Sequence, residues 1–306
     1  MPHTQAFGST RRSARNATAR NATTDDWTAR LAVSQMTTYR WSLQQDLRHY
    51  HQLGCTHFAA WIRKIVDAGI EPAIRRIRES HLQVSSLTWA GGFTGTNGYS
   101  FDEAVCEARR AIRIASRIGA PSLTIISGSQ NGHIRSHARR LLIDGLVELA
   151  DFADMHSVRL ALQPMHPLFA REWSFLHTID DTLEILRRFD PGHVGMAFGT
   201  YHLWQEPDLL DRIPELAPWI ASVQLSDWRQ SPRCDNDRLL PGDGCIPLQG
   251  IVSALEQAGY RGSYELEIWS RDLWKADYTG LMRKCKNWFR GLPGARRPNV
   301  IEKNWA

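Results

Sequence analysis

The chain lacks any run of about 18 uninterrupted apolar residues, and with it the segment that a membrane-spanning helix requires. Its five cysteines (Cys55, Cys106, Cys234, Cys245 and Cys285) are an odd, scattered set with no CxxC pair. That excludes a disulfide framework and a zinc ribbon, and it points to reduced thiols in a cytoplasmic compartment. No GxGxxG follows the first strand-like segment, which argues against a dinucleotide-binding doubly wound sheet. The first 26 residues, rich in Arg, Ser, Thr, Asn and Ala, have no apolar stretch of the kind a secretory signal carries. A disordered extension describes them better than an organelle transit peptide. The Asn16 and Asn21 sequons would matter only on a secreted chain, which nothing in the sequence supports.

The 306 residues are 42% apolar and 23% charged, an ordinary globular composition. Of the net charge of +5, residues 1–24 carry +4 and residues 290–306 carry +3, which leaves −2 on the body between them. A nucleic-acid binder carries its basic surface on the folded domain, so this distribution argues against a nucleic-acid partner.

From residue 32 onward, short aliphatic runs alternate with amphipathic segments. Candidate strands are Ala32–Met36, His57–Trp61, Gln83–Leu87, Ser122–Ile126, Arg159–Leu162, Val194–Phe198, Ala221–Leu225 and Tyr264–Ile268. Helical periodicity runs over Leu43–Leu53, Phe101–Arg117 and Arg139–Met155. Ser42, Ser100 and Thr178 stand where N-caps belong, and Gly54, Gly119 and Gly259 stand where helices should end. Eight strand–helix units with no linker predict a single (β/α)8 TIM barrel over 27–290, flanked by the extension 1–26 and a tail 291–306.

Active sites of such barrels lie at the C-terminal strand ends. Trp41, Trp61, Trp89, Trp204, Trp228 and Trp269 all fall at or near those ends, half of the chain's 12 tryptophans. Flat apolar faces beside polar groups suit a sugar, and Trp61 is the foremost candidate for such a contact.

Ordered segments through nearly the whole barrel resemble the sugar phosphate isomerase/epimerase family, the xylose-isomerase-like TIM barrels. They are Ser34–Leu43 (SQMTTYRWSL), Val84–Leu87 (VSSL) with Gly91–Phe93 (GGF), Leu162–Pro167 (LQPMHP), Tyr201–Trp204 (YHLW), Leu225–Trp228 (LSDW), Asn236–Gly244 (NDRLLPGDG) and Tyr264–Ile268 (YELEI). The resemblance implies a divalent metal, usually manganese, held by Glu, Asp, His and Glu at the ends of strands five to eight. It also implies a pair of Glu residues that move a proton beside a carbonyl. At those four positions this chain has Gln163, Gly199, Gln224 and Glu267. One carboxylate, two neutral amides and an absent side chain are a poor donor set for a divalent cation. No cofactor is therefore expected.

The resemblance further places His202 at the family's substrate-contacting His, beside Glu267 as the other candidate for chemistry. His166, Gln163, Gln224, Asp227, Arg229 and Arg238 are candidate contacts for a carbohydrate ligand. Asp227, Arg238 and Asp243 read equally as residues that hold a loop. Gln163 and Gln224 read as space-filling relics or as contacts for sugar hydroxyls. The expected function is a sugar-binding member of this family with its metal-dependent isomerase activity impaired or lost. The alternatives are an active isomerase or epimerase with a relocated metal or a metal-free mechanism, and a non-catalytic scaffold. A homo-oligomer is possible by analogy with related barrels.

Overall fold

The computed structural model describes residues 27–292, and the expectations for segment 1–26 and for most of 291–306 lie outside it. Eight parallel strands close into a barrel in sequence order: β1 Leu31–Ser34, β2 His57–Trp61, β3 Gln83–Gly91, β4 Ser122–Ile126, β5 Arg159–Leu162, β6 Val194–Gly199, β7 Ile220–Leu225 and β8 Tyr264–Leu266. The connecting helices are α1 Leu43–Gln52, α2 Ile62–Asp67, α3 Ile70–Glu79, α4 Phe101–Ile118, α5 Arg135–Met155, α6 Ile179–Leu186, α7 Thr200–Leu203, α8 Leu209–Leu216, α9 Leu248–Gln257 and α10 Tyr278–Arg290. The (β/α)8 barrel is as the sequence predicts. Among the described residues, no helix is long and apolar enough to cross a membrane.

Element boundaries differ from the sequence reading at a few ends. β1 stops at Ser34 rather than Met36, because the chain turns there and Thr37 Oγ1 donates to the Leu266 carbonyl of β8. β3 runs on to Gly91, with a shift of register against β4 between Leu87 and Ala90. At Gly91, φ is +112° and a Cβ would stand 2.2 Å from the Ile126 carbonyl oxygen, so only glycine fits that crossing. The caps hold: Ser42 and Ser100 each close a capping box, with Gln45 and Glu103, and Thr178 accepts from Asp181 N–H. Gly119 ends α4 in the left-handed conformation.

Two layers of different chemistry follow from strand alternation. One set of side chains, among them Val33, Phe58, Leu87, Ile125, Leu162 and Phe198, packs outward against the helices in one continuous apolar cluster. The alternate set, including Ala32, Ala59, Ser86, Thr124, Ala161 and Ser222, is buried but stands outside that cluster, toward the barrel axis. The apolar core is thus the ring between sheet and helices, and the axis is small and polar.

Beside β1, a buried polar network fixes the first loop. Asp46 of α1, with no solvent exposure, accepts from Lys64 Nζ at 2.7 Å, Gln35 Nε2 at 2.9 Å and Thr38 Oγ1 at 2.7 Å. Burial pushes the Asp46 carboxyl up to about 6 and the Lys64 ammonium down, against the opposing attraction of each for the other. Gln35 Oε1 in turn accepts from the Trp61 N–H. The network therefore ties the loop that carries Met36 to the end of β2.

Candidate functional site

The C-terminal mouth of the barrel holds a narrow pocket. Its apolar walls come from Met36 after β1, Trp89 in β3, Met165, Phe169 and Trp173 after β5, and Trp269 after β8. Thr88, Gln163, Arg238 and Glu267 supply the polar groups. The Thr88–Trp89 peptide is cis, and Thr88 Oγ1 donates to the Ala60 carbonyl. Trp89 and Trp173 meet edge to face with ring centroids 5.2 Å apart, so the two indoles brace each other.

The four positions nominated from strands five to eight converge. Gln163 Nε2 donates to Gln224 Oε1. A Cβ on Gly199 would lie 3.3 Å from Gln224 Oε1, 3.7 Å from Gln163 Nε2 and 3.0 Å from the His202 ring. Glu267, 3% exposed, accepts from Arg238 Nη1 at 2.9 Å. A guanidinium thus pairs with the one carboxylate among the four.

Arg238 is itself held on three sides. Its Nη2 lies 3.1 Å from His202 Nε2, its Cζ stands 4.8 Å from the centre of the Tyr201 ring, and its backbone N–H donates to the Trp269 carbonyl. Both nitrogens of His202 face N–H donors, Arg238 at Nε2 and the His166 backbone at Nδ1. A neutral ring can accept from one of them and a protonated ring from neither. Burial first, then the Arg238 charge, push its pKa well below the usual histidine value. His202 is therefore a neutral prop for Arg238 and does not line the pocket.

This makes a pH prediction. A folded-state pKa held below the unfolded value gives stability that is complete above about 6.5 and is lost as pH falls below it. Denaturant titrations between pH 7 and 5 are expected to show that acid slope, and His202→Gln is expected to flatten it by as much as about 1.4 kcal/mol per pH unit. An unchanged slope in the variant would assign the acid sensitivity elsewhere.

The remaining candidates hold the loop after β7 rather than face the pocket. Asp227 accepts from four backbone N–H groups, those of Trp228, Gly242, Gly244 and Ile246, at 2.8–3.0 Å. Arg229 pairs with Asp237 at 3.1 Å, and Arg233 joins the same carboxylate. Those hydrogen bonds hold the Asp237 carboxyl down at about 2. Asp237 directly precedes Arg238, so the cluster seats the loop segment that delivers the guanidinium. Asp243 pairs with Lys284 of α10 at 2.7 Å. His166 shares its Nε2 with Gln205 Oε1 at 3.0 Å and packs on Trp228.

Of the six tryptophans, only Trp89 and Trp269 line the pocket. Trp61 supports Trp269 edge to face at 6.2 Å, Trp204 and Trp228 pack on each other, and Trp41 stacks on His49 of α1. Trp173, Phe169 and Met165 escaped the sequence reading because the segment after β5 has no regular period. Its unusual length before α6 was the only signal.

A metal does not fit this donor set. Among the described residues, no three His, Cys, Asp or Glu side chains are grouped closely enough to hold an ion. The charge that a cation would supply is already present as Arg238. Two buried donors here, Arg238 Nε and Gln224 Nε2, have no hydrogen-bond partner among the described residues.

Comparison with known proteins agrees with this architecture. An inosose isomerase of Bacillus subtilis (strain 168) is 23% identical over 147 residues, 46% of this chain and 51% of that protein, so the match spans about half of the relative's length. The crystal structure of protein SMc04130 from Sinorhizobium meliloti 1021 superposes with a TM-score of 0.81 at 28% identity, covering 87% of this chain and 98% of that one. The IOLI protein, solved with a zinc atom bound, superposes with a TM-score of 0.73 at 18% identity, covering 86% of this chain and 97% of that one. The family model described as the xylose isomerase-like TIM barrel matches residues 47–291, and the chain belongs to that family.

Proposed function

We propose that this protein binds a sugar or sugar derivative in the pocket at the C-terminal mouth and has lost the metal-dependent proton transfer of its relatives. The observation that carries this reading is the buried Arg238–Glu267 ion pair beside the Gln163–Gln224 amide pair. A guanidinium neutralises the surviving carboxylate, and amides stand where anionic and imidazole donors are implied. Indole faces at Trp89, Trp173 and Trp269 suit the C–H surface of a pyranose or cyclitol. The unpartnered donor Arg238 Nε, on a residue that lines the pocket, calls for an acceptor oxygen, which such a ligand has in plenty. The inosose isomerase relative acts on a ligand of this kind.

The same pair supports a second reading, in which Glu267 takes a proton from carbon and Arg238 steadies the resulting enolate without a metal. His202 and Asp227 have no part in it, since neither faces the pocket and both are occupied by protein partners.

Metal analysis of dialysed protein is expected to find well under one equivalent of manganese, cobalt or zinc. A full equivalent retained would overturn the reading. A thermal-shift panel of ketoses, aldoses and inososes should yield at least one saturable stabiliser, lost in Trp89→Ala. No response to any of them would leave only a scaffold. Incubation of that stabiliser in D2O separates the two readings: deuterium incorporated at carbon, and lost in Glu267→Gln, supports the second.

A further inference from the structure

The opposite, N-terminal mouth of the barrel opens on a separate hollow. Glu265 of β8 projects into it although the residue is only 1% exposed, and its Oε2 has no hydrogen-bond partner among the described residues. Hydroxyls stand around it. Ser222 of β7 and Ser85 of β3 line the hollow, the Ser85 and Ser86 hydroxyls are turned toward the Glu265 carboxyl and ease its charge only weakly, and Ser222 Oγ has no hydrogen-bond partner among the described residues. Ser122 and Thr124 of β4 add two more unpartnered hydroxyls at the barrel's axis.

Buried oxygens so poorly satisfied are costly, and native proteins seldom leave them without a purpose. The basic residues at this mouth do not relieve it. Arg30 is bound to Glu256 and to the carbonyls of Tyr260 and Gly262, and Arg261 donates to the carbonyls of Tyr260 and Glu256. His57 is engaged with Thr56 Oγ1. Arg159 of β5 reaches across this end of the barrel but donates to the carbonyls of Pro218, Trp219 and Ile220, and Tyr260 and Glu267 bring no positive charge.

We propose that the N-terminal mouth binds a monovalent cation, potassium, sodium or ammonium, seated on Glu265 Oε2 and the hydroxyl oxygens of Ser85, Ser86 and Ser222. One carboxylate with neutral oxygens balances a single positive charge. All-oxygen donors suit a hard ion, and a divalent transition metal would need several imidazoles, thiolates or carboxylates, whereas the hollow is lined by one carboxylate and by His57, whose ring is engaged with Thr56. The site stands apart from the pocket at the other mouth and does not depend on the function proposed for it.

The test is a melting series in KCl, NaCl or NH4Cl against tetramethylammonium chloride at the same ionic strength. At least one small cation is expected to raise Tm saturably by about 2–4 °C over tetramethylammonium, which is too large for the seat. The difference should vanish in Glu265→Gln, and Ser222→Ala should weaken it several-fold in midpoint concentration. Sodium-23 line broadening by the wild-type protein, reversed by added potassium, reads the same site without a variant should Glu265→Gln fail to fold. Equal melting in all four salts, with no sodium broadening, would overturn the proposal and leave a water-filled hollow. An equal cation effect in a folded Glu265→Gln protein would also overturn it, by placing the ion elsewhere.

Discussion

Arg238→Met is expected to destabilise the protein by about 3–5 kcal/mol and to abolish ligand binding in the C-terminal pocket. The guanidinium and the Glu267 carboxylate are 6% and 4% exposed at their side chains, so solvent does little to screen them from each other. Removing one partner leaves the other buried and uncompensated, which costs far more than the pair itself contributes. The stacking of Arg238 on Tyr201 and its contact with His202 go with it. A double variant, Arg238→Met with Glu267→Gln, should recover most of the stability, because neither charge is then stranded. Denaturant midpoints of the wild type and the three variants close the cycle. A single-variant loss below about 1 kcal/mol would show a solvated, surface-like pair, and the idea that Arg238 supplies the site's positive charge would fall.

Asp46→Ala is expected to cost a similar amount, about 3–5 kcal/mol, and to lower Tm by about 10 °C. The Lys64 ammonium, 6% exposed, would keep only the Thr38 carbonyl as a partner, and Gln35 and Thr38 would lose their acceptor. Because Gln35 also accepts from Trp61 N–H, the loosening should reach the pocket wall through Met36 and Trp269. Replacing both charges, as Asp46→Leu with Lys64→Met, should restore most of the loss. Thermal melts of the three proteins distinguish this from a simple packing defect, which the double variant would not repair.

These two ion pairs show where reading the sequence stops. Asp46 looks like any polar residue of an amphipathic helix, and nothing local marks it as buried. Its partner lies 18 residues away, on another helix. Arg238 appears among the candidate contacts, but its pairing with Glu267 joins residues 29 apart, on the loop after β7 and the end of β8. The tryptophans teach the same lesson. Position near a strand end brought six to one rim, yet rotation of each side chain sent four of them against neighbouring helices and loops. Trp173 took a place in the pocket from a segment with no periodicity to betray it.

The eight strands and the capped helices were determined by the sequence itself, since alternation and helical period are local or repeat in a fixed order. The four positions Gln163, Gly199, Gln224 and Glu267 were marked by the family resemblance of the segments that carry them. What fills the space between those four positions was decided only by the closed barrel. Closure brings the loop after β7 over the end of β8 and places a guanidinium against the carboxylate. At the other mouth it leaves Glu265 among serines, because residues of β3, β7 and β8, spaced far along the chain, meet only when the sheet joins its own edge.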